Sequence, residues 1–292
     1  MYPTPTKALS TLVLLAATSF AHAQSSQMAD PDVLGMKLGM KRSEVMTLIK
    51  SKFPGSKTSA TQREVMLGNA NLLYDAQVKI VLAQKNTANA EQDVLTLVFL
   101  PDDTLLGIRR QIRYVPQKQK SFDLHNTLTA KYGNPVYYVN EEQSRFVNQT
   151  MWSNTMLPGL SLVGTQYVQG GTTRPIDFGT TTPYPNCWSQ MLAYLGEQFD
   201  PRQMYHQLTD RSGVALNRAK QWKACGKALW VENGLDRKLT YNLTQTDLML
   251  MDLARAPDAI LAMPQMLKEN PKTTYLIPAT EVPKASAGTP SF

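Results

Sequence analysis

Three short runs in the first half of the chain leave little choice of fold. Val78, Ile80 and Leu82 fall at alternate positions within Ala76–Leu82, Leu95, Leu97 and Phe99 do so within Val94–Leu100, and Ile108–Tyr114 forms a third run. A period of two marks a strand with a buried face. Glu64–Leu67 adds a shorter candidate upstream, and Asp102-Asp103 supplies the turn before the last strand. Ahead of them Val45, Met46, Leu48, Ile49 and Phe53 repeat at helical spacing until Pro54-Gly55 stops the helix. One helix followed by four antiparallel strands packs as a sheet with the helix on one face.

The same order recurs. Ser121 is an N-cap candidate, Leu124, Leu128 and Tyr132 share one face, and Gly133-Asn134-Pro135 ends the helix. Val136–Val139, Gln149–Asn154, Lys227–Glu232 and Leu239–Leu243 read as strands. A last helix is expected from Asp247 to Ala256, broken at Pro257 and resumed from Asp258 to Lys268 with a kink at Pro264. The fold class is therefore α+β, with two helix-plus-antiparallel-sheet modules in tandem. The first covers 33–116 and the second 121–268, the latter carrying an insertion at 155–224. Residues 24–32 read as a flexible leader, and the Pro-, Thr- and Ala-rich stretch 270–292 as a disordered tail.

The insertion is dense in Gly, Pro, Thr and Ser between Thr155 and Asn186, and it is followed by Cys187 and Cys225, the two cysteines of the chain. Loops of that length in compact domains are usually functional or disordered. The N-terminus bears on the redox state of the pair. Lys7, the apolar stretch Ala8–Phe20 and Ala21-His22-Ala23 form a secretory signal with cleavage after Ala23. The stretch is too short and too interrupted for a membrane span. A periplasmic or secreted location follows, and an oxidising compartment favours a disulfide between Cys187 and Cys225, closing the insertion into one tied lobe at a gain on the order of 4 kcal/mol. Their spacing matches neither C-x-x-C nor a zinc pattern.

Leu34-Gly35-x-x-Leu38-Gly39-Met40, followed by a short helix ending in Phe53-Pro54-Gly55, resembles the opening of modules in the fold of β-lactamase inhibitor protein and of the small lipoprotein subunit of the outer-membrane β-barrel assembly machine. Lys131-Tyr132-Gly133-x-Pro135, the strand ending at Trp152 and the later Cys225-Gly226 are similar to a loosely defined group of exported bacterial proteins that repeat this module. The likeness covers about half the chain. Lys41 stands where the pattern usually has a Ser or Thr cap, and no lipidation cysteine follows the signal. The resemblance implies a helix laid on an antiparallel sheet and a protein that binds other proteins. It implies no catalytic residue.

The residues themselves point to little chemistry. No G-x-S-x-G is present, and His125 and His206, the two histidines after the signal, lack the spacing of a triad or a metal site. Gly170-Gly171 lacks the Lys-Ser/Thr ending of a phosphate loop. No metal ligands, catalytic residues or cofactor are assigned. Two surfaces stand as binding candidates. Arg109, Arg110 and Arg113 lie on one strand, the first and third on one face and the second on the other, with Lys118 and Lys120 beyond. They form either a charge-guarded sheet edge or a surface for an anionic partner. Trp152, Tyr167, Phe178, Tyr184, Trp188 and Tyr194 lie in or beside the insertion and form either a recognition patch or the lobe's own core.

The net charge of +7 over 292 residues is too small, without a binding motif, for nucleic acid to be the partner. The leading reading is a non-enzymatic exported protein that binds another protein or a cell-envelope component, with no membrane span and an oligomeric state left open. One alternative is an envelope enzyme acting on a glycan or peptide through carboxylates such as Asp177, Glu141 and Glu142. Another is a structural part of a secretion or conjugation apparatus. The exported protein is expected to begin at Gln24 without an acyl group; intact-mass spectrometry checks this, and residues retained before Ala23 would contradict it.

Overall fold

The computed structural model describes residues 28, 30–83, 89–135, 137–141, 147–154, 184–197, 199–210, 223, 225–238 and 241–276. It opens on a small hairpin, β1 (Asp32–Val33) and β2 (Met36–Lys37). Leu34 and Gly35 turn it with φ of 58° and 88°, a conformation glycine adopts without strain. Then come α1 (Arg42–Lys52) and four strands, β3 (Lys57–Leu67), β4 (Ala70–Val81), β5 (Ala90–Phe99) and β6 (Leu105–Tyr114). The second half repeats the order with α2 (Ser121–Tyr132), β7 (Tyr137–Glu141), β8 (Val147–Ser153), β9 (Lys227–Leu235) and β10 (Leu243–Asp252). Between β8 and β9 lie α3 (Tyr184–Leu195) and α4 (Pro201–Thr209). The described chain ends with α5 (Ala256–Leu261), α6 (Met263–Glu269) and β11 (Thr274–Tyr275).

The two sets of four strands form one sheet. Its order is β11-β4-β5-β6-β10-β9-β8-β7, with β3 also paired to β4. The join is the antiparallel pairing of β6 with β10, from Gly107 opposite Met251 to Arg113 opposite Gln245. Each half thus contributes its last strand to the seam.

Both faces of the sheet are covered. On one, Val45 and Ile49 of α1 and Leu128 and Tyr132 of α2 pack with Val78, Ile80, Leu97, Ile108, Val231 and Leu250. On the other, Met191, Tyr194 and Leu195 of α3, Met204 of α4, Ile260 of α5 and Met263 and Leu267 of α6 pack with Leu72, Val98, Met151, Trp230, Met249 and Met251. The Cys187–Cys225 disulfide ties α3 to the chain just before β9, beneath this second layer. Two of the sheet's register shifts adjust the faces. Ala76 is the extra residue where Thr61 and Gln62 oppose Gln77 and Asp75, and Leu106 is the extra residue where Val98 and Phe99 oppose Gly107 and Leu105. Each bulge shifts the alternation by one. Leu72 and Tyr74 therefore face the lobe while Val78 and Ile80 face α1.

The structure corrects three expectations. Asp247–Asp252 belongs to strand β10, not to a helix, because the sheet is covered twice: Leu248 and Leu250 pack against one layer, Met249 and Met251 against the other. A strand buried on both faces loses its alternation and reads like a helix segment. Pro257 and Pro264 each sit at the second residue of a separate short helix, α5 or α6, where a missing N–H costs nothing. Residues 270–276 are ordered, with Asn270 Nδ2 donating to the Pro101 carbonyl (2.7 Å) and Thr274 and Tyr275 pairing with Asn71 and Ala70.

Smaller differences follow the same logic. Ser121 is the first helical residue rather than the cap, and its hydroxyl accepts from Asn148 Nδ2 at 2.8 Å. From there Asn233 Nδ2 donates to Asn148, Thr246 Oγ1 to Asn233 and Tyr114 OH to Thr246. Of the expected Leu239–Leu243 strand, Tyr241 lies in a turn, Asn242 makes only an isolated bridge to Lys120, and β10 begins at Leu243. The signal, most of the leader, Val136, Glu142 and residues 155–183 lie outside the described residues.

Met249 and Leu250 are both fully buried. Met249→Ala and Leu250→Ala are each expected to lower unfolding stability by about 2–5 kcal/mol in urea titrations, whereas a one-sided helix would spare one of the two.

Candidate binding cleft

The candidate arginines divide. Arg109 faces the lobe layer and forms a two-pronged pair with Asp247 across the seam, Nε to Oδ1 at 2.9 Å and Nη2 to Oδ2. That bonding holds the guanidinium pKa above its ordinary value. Arg110 faces the helix layer and pairs in the same way with Asp93, whose side chain has no exposed surface. Both cations are engaged inside the sheet. Arg113 is exposed and borders an open hollow of about 240 Å³ with Glu91 and Asp236. Lys118 and Lys120 are exposed beyond it.

The aromatic candidates divide as well. Trp152 is 1% exposed, lies between His125 and Tyr132, and donates Nε1 to the Gly133 carbonyl at 2.8 Å. It pins the end of α2 to β8. Tyr194 is fully buried against Phe199. Tyr184 and Trp188 stand on α3. Tyr167, Phe178 and Asp177 lie outside the described residues, and Glu141 ends β7. His206 is exposed on α4, while His125 is half-buried and desolvation lowers its pKa.

A different place has the geometry of a site. β11 pairs with β4 at residues 70 and 71, and β5 pairs along the same edge from Gln77 to Val81. Between them residues 72–76 have no strand partner on that side among the described residues. Two causes are visible. The Lys272 N–H, which the register would set opposite Leu73, is donated instead to Asn270 Oδ1 at 2.9 Å, and the Thr273 N–H closes a turn onto the Asn270 carbonyl. On the other side the pairing of β5 with β4 ends at Val98, and the chain runs on into the 101–103 turn, where Asp103 has φ 62°. The Asn270–Pro101 hydrogen bond links the two walls.

The result is an open cleft of about 420 Å³. Asn71 and Asp75 mark its strand edge: the Asn71 carbonyl accepts from Thr274 Oγ1 at 3.2 Å, and the Asp75 carbonyl from Arg42 Nη2. Main-chain groups of alternate residues point the same way along a strand, so the N–H and C=O of Leu73 face the cleft too. The Leu73 side chain, on the α1 side but past the reach of α1, is 58% exposed. Leu276, whose N–H donates to the Asn69 carbonyl, is 51% exposed.

The charge around the cleft is mixed but predominantly acidic. Asp75, Asp102, Asp103 and Glu269 line it against Arg42 and Lys272. Arg42 is engaged by its neighbours: Nε donates to Asp103 (2.8 Å), Nη2 to the Asp75 carbonyl, and its Cζ lies 4.3 Å from the Phe99 ring centre. Burial opposes the charge on Asp102, yet hydrogen bonds from Thr104 and Lys41 outweigh it and hold the carboxyl below its ordinary range. Tyr74 also lines the cleft, and burial raises its pKa.

No family model, no curated protein and no solved structure matches this chain.

Sequence reasoning passed over the cleft because its residues come from α1, β4, the 101–103 turn and the stretch after α6. The signals that could have found it are local: Pro271 after an ordered helix, and Leu73 apolar where its face has no cover. For the arginine strand, Arg110→Ala is expected to cost about 3–5 kcal/mol in urea titrations, since it leaves Asp93 buried without a partner, and Asp93→Ala on top should restore part of the loss. Arg113→Ala should stay within about 0.5 kcal/mol.

Proposed function

We propose that the chain is an exported, non-enzymatic protein that binds another protein or a cell-envelope component, and that the cleft at the β4 edge is its contact surface. The observation that carries this reading is the strand edge at 72–76, unpaired among the described residues, beside the exposed Leu73. Unpaired edges invite added chain, and apolar side chains left on such an edge are contact points. The Cys187–Cys225 disulfide fits an extracellular or periplasmic setting, and no helix among the described residues is long and apolar enough to cross a membrane. The signal pattern ending at Ala23 supports the same location.

We infer further that the halves are two copies of the helix-and-sheet module they resemble in sequence. In each, one helix precedes four antiparallel strands, and α1 and α2 lie on the same face of the sheet. This supports a binding role over a catalytic one, since the resemblance is to proteins that bind proteins.

The test is capture from envelope extract by the mature chain and two variants. Leu73→Glu, at an exposed position, should leave the melting curve unchanged and lose a stoichiometric protein partner. Retention of the partner by Leu73→Glu, or turnover of envelope glycan with no partner, contradicts the proposal. Loss of capture confined to a chain shortened across Thr155–Asn186 would move the surface to the aromatic insertion.

A further inference from the structure

The cleft allows the partner's chemistry to be named, and this step rests on the binding reading above. We propose that it receives a short extended polypeptide segment carrying a basic side chain, which adds to β4 as a strand between β11 and β5. The main chain is the first argument. Leu73 offers one donor and one acceptor toward the cleft, flanked by Asn71 and Asp75 at strand spacing, and another main chain in extended form matches that series. About three residues fit, since residues 72–76 span roughly 15 Å at ~3.3 Å per residue and Arg42 already occupies the Asp75 carbonyl.

The second argument is charge. Four carboxylates and two cations line the cleft; Arg42 is engaged by Asp103 and Asp75 and lies over Phe99, and even with Lys41 paired to Asp102 the lining keeps an acidic excess. The remaining field favours a lysine or arginine and disfavours a carboxylate. A third observation is independent of both. Tyr74, 8% exposed, is a lining residue of the cleft and carries a buried hydroxyl that has no hydrogen-bond partner among the described residues. A buried group of that kind costs stability unless a ligand or the chain satisfies it. Leu73, finally, provides an apolar shelf for the residue beside the basic one.

The experiment titrates the full mature chain with capped tripeptides and follows the amide resonances of Leu73 and Asp75. The probes are acetyl-Val-Lys-Val-amide, its Glu counterpart, and the Lys peptide methylated on its backbone nitrogens. Saturable shifts at both amides are expected with the Lys peptide, with affinity about tenfold lower for the Glu peptide. The methylated peptide should give no saturable shift, because it cannot donate to the strand edge. Glu269→Lys, at an exposed position in the last turn of α6, should weaken the Lys peptide about tenfold and leave the fold intact.

Absence of saturable shifts at Leu73 and Asp75 would overturn the proposal. So would equal affinity for the Lys and Glu peptides, or undiminished binding of the methylated one. Should Leu73→Glu still abolish capture of an envelope partner in that event, the binding role stands and the strand-addition mode alone falls.

Discussion

Everything in this fold hangs on the pairing of β6 with β10. Each is the last strand of its half, and joined antiparallel they turn two four-stranded units into one sheet. An antiparallel pair has an approximate two-fold axis normal to the sheet, so the operation that relates the halves keeps their faces the same. That is why α1 and α2 share one layer, and why the opposite face is left for the inserted helices and the C-terminal pair to cover. The seam carries its own control of register. Arg109 reaches across it to Asp247 on one face, while on the other face Arg110 of the same strand pairs with Asp93 of β5. A slip of one residue would send each guanidinium to the wrong layer, away from its carboxylate.

The polar series running under α2 belongs to the same constraint. Tyr114, Thr246, Asn233 and Asn148 lie on β6, β10, β9 and β8 and end on Ser121, the first residue of α2. Thr246, Asn233 and Asn148 are each 5% exposed or less. Satisfied buried networks contribute less to net stability than to uniqueness of arrangement. Here the arrangement they select is the entry point of α2 relative to the seam, a position that apolar contacts alone would specify loosely.

What the amino-acid pattern conveyed, and what it hid, follows from how many layers touch each strand. The alternation at Val78, Ile80, Leu95 and Leu97 was legible because α1 supplies a distinct apolar layer there. β10 was not, since Leu248 to Met251 are apolar on both sides. The bulges at Ala76 and Leu106 were invisible, because an extra residue in a strand leaves no compositional trace. Trp152 stood out as an aromatic near the insertion, yet its indole is committed to Gly133. The disulfide was legible from two cysteines behind a signal-like N-terminal pattern. The cleft was not, for its walls converge from distant segments.

The excursion that carries α3 and α4 leaves the sheet at Ser153 and returns opposite it at Ala228. Its two ends meet: Asn154 N–H donates to the Lys227 carbonyl, and Lys227 N–H returns to Asn154 Oδ1 at 2.8 Å. Structurally β8 and β9 are a hairpin, but in the order of synthesis they are strangers, and closing so long a loop makes their pairing a late, non-local event. The cross-link changes that distance. Its cysteines are 38 residues apart, so once oxidised it removes about half of the loop from the closure problem. The entropic saving is small, on the order of 0.6 kcal/mol for a halving of length, and it falls on the pairing of β8 with β9. Oxidation thus shortens the loop that β8 and β9 must close as well as tying the finished lobe, so a covalent bond outside the sheet eases a pairing within it.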